Sequence, residues 1–140
     1  MRPTQQGAIQ GGTFAGSALG LAAATATMGL LADTPMHDEL LARAERFFAQ
    51  LQAVFDRSSL AARVQSVGSM FTIYVGTRDP VASYADMNAL DGELARRFFT
   101  RCVDAGIYFH TDFCISAAHD SAVLDDVLYR MEGIVSQSFW

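Results

Sequence analysis

The side chains able to do chemistry in this 140-residue chain are few, and one common type is missing. All ten basic residues are arginines, so no lysine amine is available for Schiff-base catalysis. Cys102 and Cys114 stand outside any C-x-x-C unit, a spacing that suits neither a zinc knuckle nor a redox pair. They are expected to be reduced, partly buried thiols of a cytoplasmic protein. Ser58, Ser59, Ser66 and Ser69 lack the G-x-S-x-G setting of a nucleophilic serine. His110, Asp112 and His119 offer metal-ligand chemistry, but no further ligand stands at a recognised spacing. His110 is therefore expected at a strand end on the surface, and His119 is expected to orient the start of the last helix. Asp125-Asp126, Arg96-Arg97 and Arg101 read as solvated faces, with one arginine able to meet an acidic residue of a docked domain.

Composition narrows the partners. The chain is 51% apolar with a formal charge of −5 and has no basic cluster, which argues for a folded core and against nucleic acid. The run GGTFAGSALGLAAATATMGLLAD, from Gly11 to Asp33, raises the question of a signal peptide or membrane span. Only Arg2 precedes it as a positive charge, and Thr13, Ser17, Thr25, Thr27 and several glycines dilute it. Alanine, which contributes little to membrane insertion, supplies most of its apolar count. A soluble helix is the expectation, with Ser17 as cap, high propensity over 18–31, and Leu19, Ala23, Ala26 and Leu30 on one face. Thr34 and Pro35 suit the N-cap and first position of the next helix.

Downstream elements follow from periodicity. Leu40, Ala44, Phe47, Leu51 and Val54, widened by Leu41, Phe48 and Phe55, predict a helix over 38–55 with Arg43, Glu45, Arg46 and Gln50 outward. The β-rich stretch 63–75, broken at Gly68-Ser69, predicts two short strands meeting at a bend or hairpin. A turn at 76–79 follows, and Pro80 keeps the next residues extended. A helix is expected over 90–105, burying Leu94, Phe98 and Cys102, with Gly106 and Ile107 forming a Schellman-type end. Short strands at 107–110 and 113–117 precede a last helix capped by Asp120 or Ser121, with Leu124, Val127, Leu128, Met131 and Val135 as its stripe. Helices and strands in this order predict an α+β two-layer sandwich, a small, mostly antiparallel sheet with helices on one face. The expected organisation is a flexible segment at 1–12, a connector helix region at 13–33, and a small C-terminal α+β domain at 34–140.

Three stretches in order carry a family resemblance: GGTFAGSALGLAAATATMGLL, VGSMFTIYV and GIYFHTDFCISAAHDSAVLDDVL. Together they resemble the C-terminal portion of class III pyridoxal-phosphate aminotransferases, most closely the glutamate-1-semialdehyde 2,1-aminomutase branch. The resemblance covers nearly all the chain after about residue 10. It implies the small domain and long connector helix of fold-type I pyridoxal-phosphate enzymes, with the Schiff-base lysine on a large domain upstream. It also implies that Gly12 and Thr13 contact the phosphate of pyridoxal 5'-phosphate, usually across a dimer interface. The chemistry suits such a role, since backbone N–H groups near a helix start attract anions and glycine permits close approach. Two departures stand out. Ser17-Ala18 replaces a common Asn-Pro, and His110-Thr111-Asp112 runs almost directly into Phe113 where the family has a longer loop.

Two functional readings follow. In the first, the chain is the C-terminal part of an aminotransferase or aminomutase, inactive alone because it has no lysine. In the second, it is a non-catalytic assembly or dimerisation module, complementing a separate large domain or a homodimer partner. A degenerate protein retaining only the fold is a third possibility. Neither nucleic acid nor a membrane is expected as a partner.

Overall fold

A computed structural model describes residues 11–109 and 113–137, and the chain divides after residue 37 into two compact units. The first holds helix α1 (Ala18–Asp33). Ser17 caps it, its hydroxyl accepting from the Gly20 N–H at 3.2 Å. No residue of α1 is buried, including the face through Leu19, Ala23, Ala26 and Leu30. Thr34 follows the helix. Its hydroxyl donates to the Leu30 carbonyl at 2.7 Å and accepts from the Met36 N–H at 3.5 Å, so one side chain serves both α1 and the start of α2 (Met36–Asp56).

The second unit is built on α2. Ala44, Phe47, Phe48, Leu51, Val54 and Phe55 are its buried stripe, as the spacing predicts. Strands β1 (Ala62–Val67) and β2 (Met70–Val75) pair antiparallel around Gly68-Ser69. Gly68 adopts φ +60°, a conformation that glycine enters without steric cost. A short helix α3 (Tyr84–Asn88) precedes α4 (Gly92–Asp104), strand β3 (Phe113–Cys114) and α5 (Ser121–Val135). The sheet order is β1-β2-β3, with all pairs antiparallel.

Alternation decides which face is buried. Ala62, Phe71, Ile73 and Val75 turn inward and join one core with the buried residues of α2, α4 and α5. Val67, Met70 and Thr72, on the opposite face, are exposed. The result is the expected two-layer α+β arrangement with the helices packed against one face. Its rings are continuous: Phe55 meets Phe98 at 5.8 Å, and Phe98 meets Phe99 at 5.1 Å. Phe99 meets Phe113 at 5.7 Å, and Phe113 meets Phe71 at 5.4 Å. Phe71 closes on Phe48 at 4.8 Å and Phe47 at 6.1 Å.

Several expectations are corrected. A strand over 107–110 is not formed by its described residues. Ile107 instead completes the α4 end, its N–H reaching the Cys102 carbonyl at 2.7 Å, while the Gly106 N–H reaches Val103 at 2.9 Å. That is the Schellman pattern, with Gly106 at φ +79°. Phe109 then packs by ring contact with Phe99 and Phe113 rather than by a ladder. The strand expected over 113–117 shrinks to two residues, because the turn closed by the His119 N–H on the Ser116 carbonyl takes the chain away after Ile115. The helix expected from Leu90 starts at Gly92, because the Asp91 carboxylate accepts from the Glu93 and Leu94 N–H groups. Helix α3 was not anticipated. Ser83 and Asp86 form a reciprocal capping box there, and the Ser83 hydroxyl, then the Ala82 and Ser83 N–H groups, hold the Asp86 carboxyl below its ordinary range.

Two outcomes test this core. Replacing Phe98, which is fully buried at the centre of the ring chain, by alanine is expected to lower the unfolding free energy by about 3–5 kcal/mol. Val67→Ala, 85% exposed, is expected to change it by less than about 0.5 kcal/mol in the same urea titration. For the cysteines, burial pushes the Cys102 thiol up to about 12, so it stays protonated through neutral pH, whereas Cys114 is exposed. Peptide mapping after iodoacetamide at pH 8 is expected to find Cys114 modified in the folded chain and Cys102 only after denaturation. Equal labelling of both would contradict the packing of α4.

Candidate functional site

The turn ahead of α1 holds the two residues that the resemblance singles out. Gly12 and Thr13 are both exposed, in a turn where the Ala15 N–H bonds the Gly12 carbonyl at 3.0 Å and the Ser17 N–H bonds Phe14 at 3.0 Å. Local geometry does not require glycine at position 12. Its φ is not positive, and an added Cβ would come only to 4.0 Å of the Ala15 side chain. The turn thus offers backbone N–H groups and one hydroxyl to solvent at a helix start. No arginine among the described residues of this unit, 11–37, adds positive charge.

Helix α1 behind this turn is apolar on all sides. Leu19 is 82% exposed and Met28 64%. Its threonines do not interrupt that surface: the Thr25 hydroxyl donates to the Leu21 carbonyl at 2.8 Å and the Thr27 hydroxyl to Ala23 at 2.9 Å. Both hydroxyls are thus bonded within the helix.

In the second unit the sequence-flagged residues are structural. The His119 Nδ1 accepts from the Ser116 N–H at 3.0 Å, so the ring closes the turn before α5, whose N-cap is Asp120. His110 and Asp112 lie outside the described residues. The Ser58 hydroxyl donates to the Phe55 carbonyl at 2.9 Å, and Ser69 gives its carbonyl to the Ile115 N–H at 2.9 Å. Arg96 is held by Glu93 at 2.8 Å, which lowers the Glu93 carboxyl and raises the Arg96 guanidinium. Asp126, expected to be simply solvated, pairs with Arg130 at 2.7 Å.

Sequence reasoning missed the long-range polar contacts. Arg43, expected outward, is half-buried and donates to the carbonyls of His119 at 2.8 Å and Ala117 at 3.3 Å. Arg130 reaches the Ala105 carbonyl at the end of α4, and Arg78 reaches those of Phe55 in the last turn of α2 and of Ser58 after it. The Gln65 amide exchanges two hydrogen bonds with the backbone of Val81, at 2.6 and 3.1 Å. None of these carries a periodic signal. Two concavities accompany them: an aromatic cleft of about 260 Å³ lined by Phe71, Phe109, Phe113 and His119, and a groove of about 470 Å³ between α2 and β1.

No family model matches the sequence. Among solved structures the chain is similar to an omega-transaminase from Sphaerobacter thermophilus, with a TM-score of 0.72 and 22% sequence identity. The match takes in 91% of this chain and 30% of that one, so this chain spans under a third of its neighbour's length. No helix among the described residues is long and apolar enough to cross a membrane. At this identity the likeness is one of fold: the chain shares the α+β architecture of part of a transaminase.

Proposed function

We propose that this chain is the small-domain part of a pyridoxal-phosphate aminotransferase of class III type, working together with a large domain that holds the cofactor. The fold likeness to an omega-transaminase over 91% of the chain is the observation that carries this reading. The aminomutase branch is its finer form, resting on the V-G-S-M-F-T string at Val67–Thr72. In that form the amino group moves within one substrate, giving the tetrapyrrole precursor 5-aminolevulinate.

The residues present do not make a complete site for pyridoxal 5'-phosphate. There is no lysine to bind it covalently, and the exposed Gly12–Thr13 turn supplies hydrogen-bond donors with no arginine among the described residues of its unit. A phosphate contact from Gly12 and Thr13 is therefore part of the proposal only when another domain or protomer brings the rest of the cofactor site. No catalytic residue is assigned within this chain, and the cytoplasm is the proposed location.

The exposed, all-round apolar surface of α1 favours a second reading alongside the first, that of an assembly module. The helix would be covered by a large domain or by a homodimer partner.

Purified chain mixed with pyridoxal phosphate, an amino donor and a keto acceptor is expected to show no transamination above the cofactor alone. Turnover by the lysine-free chain would overturn the first reading. Size-exclusion chromatography with light scattering tests the second. Self-association is expected, and Leu19→Glu with Met28→Glu should weaken it by about tenfold or more. A clean monomer that binds no large-domain partner would contradict the assembly reading.

A further inference from the structure

Strand β1 lies at the edge of the sheet, and only part of its outer edge is occupied. The Ala61 carbonyl accepts from the Gly76 N–H at 2.8 Å, which sets the alternation of the β1–β2 ladder. Ala62, Val64 and Ser66 therefore turn their backbone groups away from β2. Gln52 of α2 covers the first of these. Its amide accepts from the Val64 N–H at 2.8 Å and donates to the Ala62 carbonyl at 3.3 Å, much as a peptide unit of a neighbouring strand would. Beyond Gln52, the Val64 carbonyl and both backbone groups of Ser66 have no hydrogen-bond partner among the described residues and are open to an outside one.

These open groups border the groove of about 470 Å³ between α2 and β1. Leu41 and Phe48 give its helix wall an apolar surface, and Glu45 adds a carboxylate on that side. Arg63 also lines the groove, from a β1 position that alternates to the face away from α2. Its Nε is buried and has no hydrogen-bond partner among the described residues. A buried guanidinium N–H without an acceptor is unfavourable, and a carboxylate would satisfy it.

The geometry points to this open half-edge as a strand-addition site for an extended peptide whose neighbouring residues carry opposite charges. Side chains of an added strand alternate between faces. A basic residue would turn toward Glu45, and the acidic residue next to it would turn toward Arg63, while main-chain bonds form to Val64 and Ser66. A second copy of the chain fits less well. Antiparallel pairing through Ser66 about a two-fold axis places both α2 helices on one side and opposes Glu45 to its own image.

Fluorescence anisotropy with the full chain tests the site. The probe is a fluorescein-labelled peptide of β-branched residues around a central Lys-Glu pair. The same peptide with a proline beside that pair, and a Lys-Lys version, are the controls. Saturable binding is expected for the Lys-Glu peptide, with about tenfold weaker binding of each control. Glu45→Lys should weaken the Lys-Glu peptide by about tenfold, and Ser66→Pro, which removes the outward N–H, should abolish binding. If Ser66→Pro does not fold, as judged by circular dichroism, the control peptides and Glu45→Lys decide alone. Equal binding of all three peptides, or no effect of Glu45→Lys, overturns the proposal. So does concentration-dependent dimerisation that Ser66→Pro removes, since the edge would then belong to a second copy.

Discussion

The second unit depends on a chain of phenylalanine rings that returns to the helix where it began. It leaves α2 at Phe55, crosses α4 through Phe98 and Phe99, reaches Phe113 of β3 and Phe71 of β2, and comes back to α2 at Phe47 and Phe48. Each ring buries a large apolar area, and the tilted or edge-on contacts add a directional preference. Four elements distant in sequence are thereby fixed to one another. This explains how a strand as short as β3 persists: its Phe113 is held by Phe71, Phe99 and Phe109 as well as by its ladder to β2.

Around that apolar framework, arginines and glutamines satisfy the backbone where secondary structure stops. Helix ends and strand edges leave carbonyl and N–H groups without partners. Arg130 serves the end of α4, Arg78 the end of α2 and Ser58 after it, and Arg43 the turn before α5. The planar fork of arginine can donate to two carbonyls at once, as Arg43 and Arg78 do, which the ammonium of lysine does with less fixed geometry. Gln52 and Gln65 act in the same spirit, each presenting an amide that copies a peptide group. An all-arginine complement thus suits the polar contacts that finish this fold.

What the sequence made legible was local or periodic. The stripe of α2, the hairpin at Gly68-Ser69, the Ser17 and Asp120 caps and the Gly106 helix end each rest on residues within one turn of one another. Both overestimated strands had the right composition, but Phe109 packs by ring contact instead of a ladder, and the turn at Ser116–His119 ends β3 after two residues; composition shows neither. Helix α3 is only five residues long, too short for a period, and its signal was the Ser83–Asp86 capping box alone. The long-range arginine and glutamine contacts span 10 to 76 positions and leave no trace in spacing. For the candidate site, motif resemblance gave Gly12 and Thr13, and nothing in the backbone around them demands glycine.

That last point bears on how the two units differ. The described residues of the second unit bury much of their apolar surface in one core and satisfy their helix ends by caps and arginine forks. Helix α1 has its cap at Ser17 but no core of its own: it has 16 residues, no buried side chain and leucines exposed around its circumference. Isolated helices of about that length are marginal in water, and tertiary packing of an apolar face normally supplies the difference. Ser17, Thr25, Thr27 and Thr34 satisfy polar groups within the helix and so remove the usual reasons for solvent to prefer one side. A helix finished in this manner suits close apolar neighbours on several sides. An interdomain position within a larger enzyme would provide such neighbours. The exposed Gly12–Thr13 turn would then stand where an anion held by those neighbours could reach it.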